Sequence, residues 1–479
     1  MVKGIKEVCR EKGWVRIFAE VDALMRRGAL QGIRQSQNAA PCSRRRFPGG
    51  KNMQTEKPVY EEIEELLAEV EPPAVALVEQ RVETPPALED IRAEVGEALR
   101  SVEVPRGSVA IGVGSRGVGR IDEVVAALVG YLKEAGAEPF IVPAMGSHGA
   151  STAEGQARVL AHLGVSEERI GCPVRATMEA VKIGQTPAGV EVFMDRNAYE
   201  ADAVVLANRI KPHTAFRGEV ESGPTKMLAI GLGKQKGAHS VHAAGWGNIH
   251  ETIPEAARVA VETGKVAFGL AVLENADEEP YKVVAIPADK LEESEAPLLE
   301  EAKRNLLRLP FDEIDVLIVD EIGKNISGDG ADPNVTGRYP TPYASGGPAV
   351  ERLVYLDLTP ETGGNANGLG VADVVTERLA SKMDRPATYL NALTSTTPTP
   401  VKTPMVMPND RMAVAAALVM CAGVSPRSAR LVRIRNTLKL RRMWISEALL
   451  HEVDGERLRI VEEPQPMRFD TDGSLVLCV

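Results

Sequence analysis

The chain has 479 residues, of which 44% are hydrophobic and 26% charged, with a net charge of −11. That length exceeds what one core usually supports, so two domains are expected, in the balance of a soluble globular protein. No apolar run reaches the roughly 18–20 residues of a membrane span, and the acidic balance excludes general nucleic-acid binding. Small molecules remain as the expected partners.

Residues 1–52 stand apart: twelve Lys and Arg against four acids give about +8, leaving about −19 for the remainder. The stretch reads as a basic, disordered extension. A docking arm is the alternative, and Met53 is a possible internal start. Glu7, Glu11, Glu20 and Asp22 do not suit a transit peptide, and no signal-type apolar segment appears. The five cysteines are scattered without a C-x-x-C pair, so neither a zinc knuckle nor a disulfide framework is indicated and a reducing cytoplasm is expected.

From Tyr60 the pattern is α/β. Helical periods over 60–70 and 88–99 precede the strand-like run 108–113, a helix over 121–136 and a second strand at 139–144, which together make a β-α-β unit with a parallel pair. The apolar runs 190–194, 203–207 and 265–273 extend this Rossmann-like N-terminal domain, placed at 56–295. Helix 298–309 then leads to strand 315–320 and a smaller α/β domain over 310–435. Residues 436–479 are expected to pack back on the first domain, and the site to lie in the cleft between the two.

Residues 112–117, GVGSRG, satisfy G-x-G-x-x-G between a strand and a helix. A dinucleotide site also needs an acid at the end of the second strand, for the ribose hydroxyls. Here that strand runs into Met145-Gly146-Ser147-His148-Gly149, and Glu138 lies before it. Arg116 within the turn suits an anion approaching side chain and backbone together, so another phosphate or carboxylate site is the preferred reading over NAD or a plain turn.

Six of the seven histidines fall between residues 148 and 250. His148 follows the second strand and His213 follows strand 203–207; C-terminal strand ends of a parallel sheet share one rim, so both can face one crevice. His162, His250 and His451 read as solvated positions. His239 and His242 are spaced to chelate a metal, a weak signal without a third ligand.

The order G-S-R, G-S-H-G, P-H…S-G-x-x-K and a His sixteen residues past that Lys resembles the lactate racemase family of isomerases that use a nickel pincer cofactor. The resemblance runs over most of 105–435; DEIGKNISGDGADPNVTGR, LDLTPETGGNANGLGVAD and YLNALTSTTPTPVKTPM look like a divergent branch. It implies a racemase or epimerase of a 2-hydroxy acid or sugar-acid-like polyhydroxy acid, acting by proton-coupled hydride transfer. The implied cofactor is pyridinium-3-thioamide-5-thiocarboxylic acid mononucleotide with nickel, supplied by cofactor-synthesis proteins. By this resemblance Lys226 is the tethering lysine, His242 the nickel ligand, and His148 and His213 the paired acid–base histidines, one base for each enantiomer. Ser115 and Arg116 match the threonine and arginine of the family's D-x-T-R turn.

Three departures qualify the match. Val113 replaces the aspartate and Gly117 the proline of that turn, and the His213-to-Lys226 interval is three residues longer than in the lactate enzyme. The insertion, with Arg217, Glu219 and Glu221, is expected to change the pocket wall. Lys324, Asn325, Asn334 and Arg338 are second-tier candidates for substrate contacts, with loop solvation as the alternative. Thr394, Ser395 and Thr396 either line the cleft or turn the chain. The rival readings are an NAD-dependent oxidoreductase and a non-catalytic anion-binding protein.

Overall fold

The computed structural model describes residues 60–115 and 118–476. The expectations for the extension 1–52 and for Arg116 therefore fall outside the described residues. In chain order the strands are β1 Val75–Gln80, β2 Gly107–Val113, β3 Ala137–Pro143, β4 Ala180–Gln185, β5 Glu191–Asp195, β6 Ala203–Arg209, β7 Val266–Glu274 and β8 Pro280–Pro287. They continue as β9 Glu313–Ile322, β10 Ala349–Leu358, β11 Val374–Thr376, β12 Met405–Met407, β13 Leu431–Ile434, β14 Arg442–Ser446 and β15 Leu458–Gln465.

A five-stranded sheet runs in the order β3-β2-β6-β7-β8, parallel except for the antiparallel edge strand β8. The continuous apolar runs in β2, β3 and β6 follow from this placement, because a parallel sheet is covered on both faces. Helix α1, Ile121–Glu134, covers one face through Val124, Val125, Leu128 and Leu132, all fully buried. The run at 190–194 lies outside this sheet. It forms a separate antiparallel hairpin of β4 and β5, and its half-buried alternation fits a two-stranded ribbon better than a covered central strand.

The second sheet has eight strands in the order β12-β11-β10-β9-β13-β14-β1-β15. Strand β1 went unread in the sequence. It lies within the stretch assigned to the first domain, yet it pairs antiparallel with β14 and β15, so the final segment completes the second sheet around an early strand. Helix α2, Leu291–Asn305, starts earlier and ends earlier than the expected 298–309; Leu307, Leu309 and Phe311 go instead into the core of the second sheet.

A chain beginning at residue 82 would leave the facing edges of β14 and β15 unpaired. It is expected to lose the cooperative thermal transition that circular dichroism records for a chain beginning at residue 60, whereas equal melting of the two would mean that β1 contributes nothing to the sheet.

Candidate functional site

The C-terminal ends of β2, β3 and β6 lie side by side, and the loops that leave them form one wall of a cavity of about 200 Å³. Ser115, His148, His213, Lys226, His242 and Lys324 all line it. Strand ends 65 residues apart in sequence thus bring His148 and His213 to one cavity. Lys324 enters from the loop after β9.

The His148 turn is tightly held. Gly146 has φ +57°, a conformation open to glycine, and its N–H donates to Gly231 O at 3.0 Å. Gln156 Nε2 donates to Gly146 O at 2.9 Å and to His148 O at 3.3 Å. The same Gln156 accepts at Oε1 from Lys234 Nζ, 3.0 Å away, which also donates to Pro143 O at 2.6 Å and pairs with Asp195 at 2.8 Å. Lys234 and Asp195 are both fully buried. Lys234 is the anchor between β3, β5 and the helix that it opens, α3, Lys234–Ala243. Burial pushes the Asp195 carboxyl up and the Lys234 ammonium down, and their mutual attraction opposes both shifts.

Helix α3 carries His242. Its Nδ1 donates to Ala238 O at 2.6 Å, leaving Nε2 as the ring's acceptor, and burial pushes its pKa down to about 4. His239 is exposed and does not line the cavity. Trp246 packs 5.2 Å from the His242 ring and 6.4 Å from the His213 ring, and donates through Nε1 to Ser395 O at 2.9 Å.

The Lys226 segment opens with Gly223, where a Cβ would sit 2.2 Å from Glu295 Oε2. Glu295 is fully buried and accepts from Thr225 N at 2.7 Å and Thr225 Oγ1 at 2.6 Å. Burial pushes its pKa up to about 7. Past Lys226 the chain winds wider than an α-helix, with Leu232 N donating to Met227 O at 2.8 Å; such π-turns recur at functional sites.

The insertion residues do not line the cavity; they brace His213. Its N–H donates to Glu221 Oε2 at 2.7 Å, and Arg217 Nη1 donates to its carbonyl at 2.6 Å. Arg217 also bonds Ser345 O at 2.7 Å and Asn334 Oδ1, fastening the His213 loop to the far side of the cleft. Glu219 is exposed. Lys211 reaches across likewise and pairs with the buried Asp332 at 2.7 Å.

Of the second-tier candidates, only Lys324 lines the cavity. Asn325 accepts from Thr359 at 2.6 Å, Arg338 pairs with Asp373 at 2.7 Å, and Asn334 is engaged with Arg217 and Asp332. These three build loops. Thr394 and Ser395 line the cavity, whereas Thr396 is the left-handed cap of its helix. Asn208 was overlooked: it lines the cavity, and its buried Oδ1 has no hydrogen-bond partner among the described residues. An amide at the end of the apolar run 203–207 was the available signal. For a dinucleotide, the helix after the Gly-rich turn is ill suited, since Asp122 and Glu123 occupy its first turn, where a pyrophosphate would sit.

This is an α/β fold with a cleft assembled at a parallel-sheet rim. Residues 93–252 match the family described as lactate racemase N-terminal domain, in line with the resemblance carried by the motifs of that span. Among solved structures, the lactate racemase apoprotein from Thermoanaerobacterium thermosaccharolyticum is similar at 14% identity and a TM-score of 0.43, covering 74% of this chain and 93% of that one. No curated protein matches the chain. Among the described residues, no helix is long and apolar enough to cross a membrane.

Two stability predictions follow from the buried charges. Lys234→Met leaves Asp195 unpaired and is expected to cost about 3–5 kcal/mol in denaturant unfolding; Lys234→Met with Asp195→Leu should recover much of that loss. Glu295 has a folded pKa of about 7 against an ordinary value of 4.5, so the folded state holds the extra proton between them and stability falls as pH rises through that window. Glu295→Gln mimics the protonated form, so its melting temperature relative to the parent should rise from about pH 5 to about pH 8. A flat difference would contradict the buried carboxyl.

Proposed function

We propose that this chain racemises or epimerises a 2-hydroxy acid, or a polyhydroxy acid of the sugar-acid type, with a lysine-tethered nickel pincer nucleotide as its cofactor; the match over residues 93–252 supports a racemase-type function in general. The observation that carries this reading is the convergence of Lys226, His242, His148 and His213 on one cavity.

The residues present fit such a group. A ligating imidazole must be neutral with one nitrogen lone pair available, and His242 meets both conditions through burial and its Nδ1 bond to Ala238. Among the described residues no cluster of three or more His, Cys, Asp or Glu could hold a metal, so a metal at His242 would take further ligands from the cofactor itself. The orphaned Oδ1 of Asn208 offers an acceptor to a ligand donor. When bound, the cofactor supplies reversible hydride acceptance.

This chain's own residues do the rest. Lys226 Nζ is the point of attachment, and Glu295, through Thr225, fixes the turn that presents it. Lys324 supplies the positive charge for a substrate carboxylate, while Thr394 and Ser395 offer polar contacts to further hydroxyls. His148 and His213 act on the reacting hydroxyl. Trp246 packs against the His242 and His213 rings and limits water beside them.

In protein from a cofactor-making host, peptide mapping should place a covalent adduct on Lys226 and on neither Lys234 nor Lys236. An adduct elsewhere, or full nickel loading with none, would overturn the assignment. Metal analysis of the same preparation should find nickel lost in His242→Ala and largely retained in His239→Ala.

A further inference from the structure

We infer that His148 and His213 have unequal roles: His148 is the base, and His213 is a fixed N–H donor to the substrate rather than a second base. The inference rests on the functional reading above and deepens it. It comes from what each ring's Nδ1 bonds.

His148 Nδ1 lies 2.8 Å from Met145 O. A carbonyl oxygen can only accept, so Nδ1 carries the proton and the neutral ring's lone pair is on Nε2. His213 is the reverse: its Nδ1 accepts the N–H of Ala215 at 3.0 Å. A backbone amide can only donate, so Nδ1 carries the lone pair and the neutral ring has its proton on Nε2.

Neither arrangement switches easily. Gln156 fixes the carbonyls on both sides of the His148 turn. At His213, Glu221 holds the backbone N–H and Arg217 the carbonyl, while Phe216 packs 4.5 Å from the ring. Moving the His213 proton to Nδ1 would set two donors against each other inside a buried loop, leaving the Ala215 N–H without its acceptor. Glu221 and Arg217, within the longer His213-to-Lys226 interval, thus hold the backbone from which the Ala215 N–H meets this ring.

The proton balance is simple. As the alcohol becomes a ketone, its hydroxyl proton passes to Nε2 of His148, giving an imidazolium, and the Cα hydrogen leaves with two electrons to the bound hydride acceptor. Both return when the alcohol re-forms; inversion requires the flat ketone to turn its other face to the acceptor before the hydride returns, and retention follows when it does not. His213 keeps its proton throughout and steadies the substrate oxygen or carboxylate through Nε2–H.

Long-range proton–nitrogen NMR on cofactor-free protein labelled with 15N-histidine tests this without any substrate. His213, assigned by signals lost in His213→Gln, should show a lone-pair nitrogen at Nδ1 and a protonated Nε2; His148 should show the opposite pattern. The same tautomer in both rings would overturn the inference. In the loaded enzyme, His213→Gln, whose amide replaces the distal N–H, should stay within about tenfold of the parent, while His148→Gln falls by about 10²–10⁴. His213→Asn keeps an acceptor for Ala215 N–H but not the distal donor, and should fold normally while losing about 10²–10³ in rate. Equal loss in both Gln variants would restore one base per enantiomer and sink the inference with the racemase reading intact. A parent inactive on every 2-hydroxy acid would instead remove the functional reading, and the tautomers would still be decided by NMR.

Discussion

The buried ammonium of Lys234 is the constraint on which the site's geometry depends. It opens the helix that carries His242, and its three bonds run to Asp195 on the outlying hairpin, to the carbonyl that ends β3, and to Gln156. Gln156 passes the restraint on to the His148 turn. A charge in a dry interior is tolerable only with its partners in place. The positions of a candidate metal ligand and a candidate base are therefore set by one electrostatic requirement, although the two lie far apart in sequence.

The second half of the cavity is held by a different logic. Lys211 with Asp332, Arg217 with Asn334 and Ser345, and Trp246 with Ser395 all cross from the first sheet's loops to those of the second. Each crossing starts beside a histidine or within its loop. Arg217 joins the two tasks, because the side chain that holds the His213 carbonyl also reaches Asn334 and Ser345 on the opposite wall.

Much of the first sheet was legible in the sequence, because β2, β3, β6 and β7 are continuous apolar runs bounded by turns. The pairing of β4 with β5 went unread because a short apolar run looks alike in a central strand and in a half-buried ribbon. Strand β1 was missed because its partners, β14 and β15, lie more than 360 residues away and no local pattern announces such a pairing. At the site, strand-end placement picked out His148 and His213 and the family resemblance added Lys226 and His242; all four line one cavity. They could not reveal that Lys234 is buried, that Arg217 and Glu221 brace His213 rather than line a wall, or that Asn325 and Arg338 serve their own loops. Those are facts of burial and partner choice, which emerge only when distant segments meet.

The central claim is that this cavity inverts a carbinol carbon by removing and returning hydride. The direct measurement is to give the cofactor-loaded protein enantiopure 2-hydroxy acids carrying deuterium at Cα, in ordinary water, and to follow chirality by chromatography and deuterium content by mass spectrometry. The account predicts that one acid loses optical purity while keeping its deuterium. Inversion with deuterium washed out to solvent, or accumulation of the keto acid instead of the opposite enantiomer, would contradict it.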